Sequence, residues 1–127
     1  MIERREVALH KKLIQHLFEY LKWNNFRSIK ADLAGAESPG VIKSGEYEII
    51  PDITAYGDQF LIFEVETSET LHKDLARDKW LNFSKYASDE KGEFWIVVPE
   101  GHELEATNLL GEIGASAKVW AINAPTD

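Results

Sequence analysis

The stretch PDITAYGDQFLIFEVET, residues 51–67, decides the fold of this chain. Two runs of β-forming residues flank a Gly-Asp turn signal, so the stretch predicts an antiparallel hairpin. Three acids interrupt its apolar pattern, namely Asp52 in the first run and Glu64 and Glu66 in the second. Side chains alternate between the faces of a strand, so both glutamates point the same way. The hairpin turn should bring Asp52 across from the neighbourhood of Glu64.

The rest of the chain continues outward from this hairpin as alternating helices and strands. We predict helices over 3–23, 70–87 and 103–113, strands over 27–33, 47–56, 59–67, 94–99 and 118–122, and a loop over 34–47. The order α-β-β-β-α-β-α-β indicates an α/β fold with a central mixed sheet flanked by helices. The length of 127 residues fits a single domain, 1–127.

Composition and charge narrow the class of protein. The chain contains no cysteine, which excludes disulfides, thiolate metal ligands and a cysteine nucleophile. No apolar run reaches the roughly 18 residues that cross a bilayer, and a charged beginning excludes a signal peptide, so we expect a cytoplasmic protein without a membrane partner. The net charge is −8, but residues 1–30 carry seven bases against three acids, whereas residues 31–69 carry one base against nine acids. A basic element beside an acidic centre suits a metal-dependent phosphodiesterase, although charged helix surfaces are also ordinary.

Three carboxylates on one sheet face repel one another unless a proton or a cation neutralises them. Hard oxygen donors without cysteine or a histidine cluster favour Mg²⁺ or Mn²⁺ over Zn²⁺. Such an ion polarises a phosphate and lowers the pKa of a bound water. The alternative is an edge strand that turns its charges to solvent, which the acid on the neighbouring strand makes less attractive.

Pro51-Asp52, followed by a hairpin and then by Glu64-Val65-Glu66, resembles the signature of the PD-(D/E)xK nuclease superfamily. The order of the flanking elements is also similar to that superfamily's restriction-endonuclease-like αβββαβαβ core. The resemblance implies a metal-dependent nuclease that hydrolyses DNA phosphodiester bonds, in which Asp52 and Glu64 hold Mg²⁺ or Mn²⁺. Glu66 would bind the metal or orient water.

The chain departs from the superfamily at Glu66, where the third motif residue is usually lysine. Some restriction enzymes of the superfamily use glutamate there and are active, whereas other members have lost the signature and the activity together. A non-catalytic nuclease-like module, binding or assembling within a nucleic-acid-processing complex, is therefore the alternative function.

Two helices offer further site residues. At about 100° per residue, Glu6 falls within the apolar arc of the first helix, and His10 lies beside it one turn on. Several superfamily members place an acid from this helix in the active site, so the resemblance makes Glu6 a candidate for that role. His10 is expected to be a helix-end histidine with satisfied polar atoms, and Glu19 a solvated acid. Lys79 projects to the centre of the apolar face of the second helix, near Leu75, Asn82 and Tyr86. There it either replaces the missing motif lysine or extends its stem over the core.

DNA is the expected partner, together with a homodimer or a larger protein complex, since many small superfamily members dimerise to cut two strands. Duplex DNA should approach along the basic first helix, where Arg4 and Arg5 lie, and along residues 27–30. Binding of this kind weakens steeply as salt rises, because each neutralised phosphate releases counterions. Trp23 lies at the predicted helix end, where it either anchors the core or stacks on a base.

Overall fold

Three helices and seven strands make up the computed structural model, which describes the backbone of residues 4–44 and 47–123 and the side chains of residues 8–43 and 48–123. The helices are α1 (Arg4–Trp23), α2 (Asp74–Asp89) and α3 (Glu103–Ile113). The strands are β1 (Arg27–Ala31), β2 (Ile42–Ser44), β3 (Tyr47–Ile49), β4 (Ile53–Tyr56), β5 (Phe60–Val65), β6 (Glu93–Pro99) and β7 (Lys118–Ile122). Within the described ranges, no helix is both long enough and apolar enough to cross a bilayer.

Five strands form the central sheet in the order β1-β4-β5-β6-β7. The β1–β4 and β4–β5 pairs are antiparallel, whereas the β5–β6 and β6–β7 pairs are parallel. Strands β2 and β3 pair separately as a small antiparallel sheet inserted between β1 and β4. The predicted α/β class with a central mixed sheet flanked by helices is confirmed, and the order of the elements apart from β2 and β3 is the predicted one.

The sheet separates two apolar layers. On one side α1 packs its leucines and Ile14 against residues of β4 and β5, including Ile53 and Phe63. On the other side α2 and α3 pack against Ile62 of β5 and the alternate residues of β6. Strand β5 lies in the middle of the sheet and is covered on both faces, which explains its nearly continuous apolar sequence.

The segment before β4 differs from the sequence prediction in two ways. Residues 34–47 were predicted to be a loop, but β2 lies within them and buries Ile42 against the α2 side of the core. The predicted continuous strand 47–56 is divided into β3 and β4, because Pro51 has no N–H to donate to a ladder. Asp52 therefore lies in a bend immediately before β4 rather than inside the strand.

Helix α2 begins later and faces differently from the prediction. A turn occupies the expected first residues, in which Thr67 N donates to Thr70 Oγ1 at 2.9 Å; threonine side chains that bond to nearby backbone favour turns over helix. Leu75, predicted to lie on the buried face, is 61% exposed, whereas Trp80 and Phe83 are fully buried. Burying two large aromatic side chains removes more apolar surface from water than burying one leucine, and this decides the rotation of the helix.

Candidate carboxylate site

The three predicted acids meet where β4 begins and β5 ends. The β4–β5 register pairs Ile53 with Phe63, so Asp52 lies opposite Glu64, as predicted. Glu66 follows β5 and its N–H donates to the Val97 carbonyl, which keeps the chain beside β6. All three acids are buried, and Glu64 is only 2% exposed. The solvent-facing edge strand is therefore not what the structure shows.

Asp52 is fixed by backbone contacts across the hairpin. Its Oδ2 accepts a hydrogen bond from Val65 N at 2.8 Å, and its own N–H donates to Glu64 Oε1 at 3.1 Å. The carboxylate thus completes the hydrogen bonding of the hairpin where the strand ladder ends. Removing it would leave the buried Val65 N–H without an acceptor, which carries a penalty of about 1–3 kcal/mol.

Glu64 shares its environment with a lysine from α2. Lys79 Nζ lies 3.5 Å from Glu64 Oε2, and the Lys79 side chain is 31% exposed. Burial and the nearby charges of Asp52 and Glu66 raise the pKa of Glu64 well above its ordinary value, and Lys79 only partly opposes this. Burial works against the charge of Lys79, but the three carboxylates outweigh it, so the pKa of Lys79 is also raised. Burial and the neighbouring carboxylates therefore oppose ionisation of Glu64, and the Lys79 ammonium favours it.

Glu66 points into the α2 side of the core. Its Oε2 accepts a hydrogen bond from Trp80 Nε1 at 2.8 Å. Burial raises the pKa of Glu66, although hydrogen bonds from Trp80 and Thr70 and the charge of Lys79 favour the ionised form. Since the Trp80 indole is fully buried and can only donate, this carboxylate also satisfies a core tryptophan.

His10 joins the site from α1, which the sequence did not predict. Its Nε2 lies 3.3 Å from Asp52 Oδ2 and 3.1 Å from the Val65 carbonyl oxygen. A carbonyl oxygen can only accept, so Nε2 carries a hydrogen. Burial opposes a charge on the ring, but the hydrogen bond and charge of Asp52, the charge of Glu66 and the Val65 carbonyl outweigh it, so the pKa of His10 is raised. The signal in the sequence was the position of His10 beside the apolar arc of its helix.

The other candidate on α1 is Glu6, whose side chain lies outside the described residues, so its predicted role stays a prediction. Glu19 is partly buried and accepts a hydrogen bond from Gln15 Nε2 at 2.9 Å, one turn away on α1. Arg4 and Arg5, predicted to meet DNA, also have side chains outside the described residues.

No three histidine, aspartate or glutamate side chains among the described residues are arranged to hold a common metal ion. The chemistry of the donors nevertheless fits a hard cation. Asp52 Oδ2 and the Val65 carbonyl oxygen are two hard donors that both lie within hydrogen-bond distance of one atom, His10 Nε2. Burial is the largest cause of the raised pKa of Glu64, and Asp52 and Glu66 add to it, so a cation among the carboxylates would favour their ionised forms.

No protein-family model, curated protein or solved structure matches the chain.

Proposed function

We propose that the protein is a metal-dependent nuclease that hydrolyses DNA phosphodiester bonds on a restriction-endonuclease-like fold of the PD-(D/E)xK kind. The observation that carries the proposal is the Lys79 ammonium, 3.5 Å from Glu64 in a buried carboxylate cluster. The signature that this sequence resembles usually carries its lysine where Glu66 stands. Lys79 supplies the same charged group from α2, so the substitution at Glu66 does not remove an ammonium from the site.

The fold supports the proposal through the position of the acids. Asp52 and Glu64 lie on adjacent antiparallel strands, and the β4–β5 register brings them together. Helix α2 crosses from β5 to its parallel neighbour β6 and carries Lys79 to the same end of the sheet. The residues of the resembled motif are thus brought together by three successive elements.

Mg²⁺ or Mn²⁺ is the metal that the donors suit, because carboxylate and carbonyl oxygens are hard ligands. Asp52 and Glu64 would hold the ion, Glu66 would hold it or orient water, and Glu6 would assist from α1. When bound, the ion supplies positive charge that polarises a phosphate and activates water. Lys79 stabilises the negative charge that develops on the phosphate during hydrolysis.

The experiment measures cleavage of labelled single- and double-stranded DNA in Mg²⁺, in Mn²⁺ and in EDTA. Asp52→Asn removes the charge but keeps an oxygen for the Val65 N–H, which makes it a better test than alanine. We expect Asp52→Asn and Lys79→Met to lower the rate by about 10²-fold or more. Lys85→Met, an exposed lysine of the same helix, is the matched control and should cut at the wild-type rate. Undiminished cleavage by Asp52→Asn would show that the active site lies elsewhere.

A non-catalytic binding or assembly module is the second candidate. It is favoured by the contact of Glu66 with Trp80 and by the departure from the motif lysine, since each of the three acids has a partner within the protein. A calorimetric titration with Mn²⁺ separates the two functions. A nuclease should bind Mn²⁺ in the wild type and lose that binding in Asp52→Asn, whereas a module held together by its own cations should show no binding in either protein.

A further inference from the structure

A groove lined by aromatic rings lies away from the carboxylate site, between the end of α1 and the sheet. Its volume is about 330 Å³, and its walls are Tyr20, Leu21, Phe26, Phe63, Trp95 and Trp120. It is small for a ligand pocket, since such pockets span roughly 300–1,000 Å³. A groove of this size has room for a flat ring system.

The groove exists because one face of the sheet is only partly covered. In the described part of the chain, α1 is the helix on this side, and it packs chiefly on β1, β4 and β5, whereas α2 and α3 lie on the other side. The inner faces of β6 and β7 therefore leave Trp95 and Trp120 only half-buried. Tyr20 reaches across from α1, and its ring lies edge-on to Trp120 at 5.0 Å.

The rings are arranged as a surface on which another ring can stack. Trp95 and Trp120 are 6.3 Å apart in a T-shaped pair, and Phe63 lies stacked on Trp95 at 6.4 Å. Trp23 stands one helical turn beyond Tyr20 and is 82% exposed, so it extends the aromatic surface beyond the groove. A planar ligand can interact favourably with either the faces or the edges of aromatic rings.

The charges beside the groove include one ion pair and one arginine. Lys118 Nζ lies 5.4 Å from the centre of the Trp95 ring and forms an ion pair with Glu93, so the two charges offset each other. Glu93 also accepts a hydrogen bond from Trp95 Nε1 at 3.2 Å. Arg27 follows Phe26 and donates to the Gly57 carbonyl at 2.8 Å, which holds its guanidinium at the end of the groove. A ligand with flat apolar rings fits the groove, and Arg27 can meet a negative charge on that ligand.

We propose that the aromatic groove binds single-stranded nucleic acid by stacking unpaired bases, with a phosphate beside Arg27. Stacking of bases on aromatic side chains combined with a cationic path for the backbone is the general means of binding single strands. Base stacking needs no metal, so this inference goes beyond the proposed nuclease activity and does not depend on it.

The test is fluorescence anisotropy of a labelled oligothymidylate in EDTA, where cleavage cannot contribute. Tyr20→Ala should weaken binding by about 5- to 150-fold, the range for one stacked base. Trp23→Ala should weaken it as well, and both side chains are exposed enough to be removed without disturbing the core. Tyr56→Ala is the matched control, because Tyr56 is 45% exposed against 44% for Tyr20 but lines a different cleft that carries Asp58 and Glu90. Its affinity should equal that of the wild type.

Several results would overturn the inference. Absence of binding by the wild type in EDTA would do so, as would equal losses in Tyr20→Ala and Tyr56→Ala. Equal competition by a blunt duplex would exclude stacking of unpaired bases, because duplex bases are already stacked. A wild type that sediments as a dimer, fails to bind the oligonucleotide and becomes monomeric in Tyr20→Ala would identify a second copy of the chain as the occupant. A wild type that binds the oligonucleotide in EDTA but does not cleave DNA in Mg²⁺ or Mn²⁺ would refute the nuclease proposal alone.

Discussion

Lys79→Met removes an ammonium group from beside Glu64 while keeping an unbranched apolar stem of similar length. When both groups are charged, the attraction between Lys79 Nζ and Glu64 Oε2 at their 3.5 Å separation is about 5 kcal/mol for an effective dielectric constant of about 20. Two effects reduce the net loss. The variant no longer carries the cost of desolvating the Lys79 ammonium. In addition, Glu64 can take up a proton instead of remaining a buried, unpaired carboxylate. We expect the variant to lose about 1–3 kcal/mol of unfolding free energy near neutral pH.

The pH dependence distinguishes this reasoning from a simple loss of packing. Burial and the neighbouring carboxylates already raise the pKa of Glu64 in the folded protein. Folding therefore favours the protonated form of Glu64. The stability gained in this way is complete below the unfolded pKa and is lost as the pH rises through the folded pKa. Without Lys79 the folded pKa of Glu64 rises further, so the loss extends to higher pH. The difference between wild type and variant should be small while Glu64 is protonated in both folded proteins and should grow as the pH rises through the wild-type folded pKa.

Urea unfolding at about pH 5 and about pH 8 measures this difference. Lys85→Met on the same helix is the control, because Lys85 is exposed and its replacement should change the unfolding free energy by less than about 0.5 kcal/mol at both pH values. A loss in Lys79→Met that is no larger than in the control at both pH values would refute the assigned contact with Glu64.

Three further predictions concern other contacts of the fold. The pKa of His10 should be above its ordinary value in an NMR titration of the imidazole, and the stability that its charge contributes, present below about pH 6.5, should fall as the pH rises through the folded pKa. Trp80→Phe removes the indole donor to buried Glu66, and chemical denaturation should show a loss of at least about 1–3 kcal/mol. Gly92→Ala brings a methyl group against the backbone of β5 and should cost about 2 kcal/mol or more in thermal unfolding, whereas Gly111→Ala, in open space on α3, should gain about 0.5–1 kcal/mol.

The centre of the fold could be predicted because its sequence patterns are strong and local. The β5 run is nearly all apolar, and a turn pair separates it from the preceding strand by a short connection. These two features fix the register, and the register alone places Asp52 opposite Glu64. The limits of α3 and β7 were also predicted correctly. The end of α3 could be predicted because Gly114 follows the helix, and this glycine adopts a left-handed conformation with φ of 72°.

What could not be predicted depends on contacts between residues distant in sequence. His10 and Asp52 are separated by 42 positions, and no local pattern indicates that they meet. The rotation of α2 is set by competition between Leu75 and the pair Trp80 and Phe83 for the core, which periodicity alone does not resolve. Lys79 was predicted to lie at the centre of the apolar face; it lies instead beside that face, where its stem can reach Glu64.

With a net charge of −8, the chain can bind a polyanion only through local features that its total charge does not reveal. In the carboxylate site, Lys79 and His10 already offset part of the negative charge, and a divalent ion would offset more. At the aromatic groove, stacking contributes affinity that does not depend on charge, so few cations are needed there. The two modes differ in their response to salt. Duplex docking through the basic residues of α1 should weaken steeply as salt rises, because each neutralised phosphate releases counterions, whereas binding in the groove with one arginine beside it should weaken only gradually. The salt dependence of binding to matched single and double strands therefore separates a protein that holds unpaired bases from one that holds the duplex backbone.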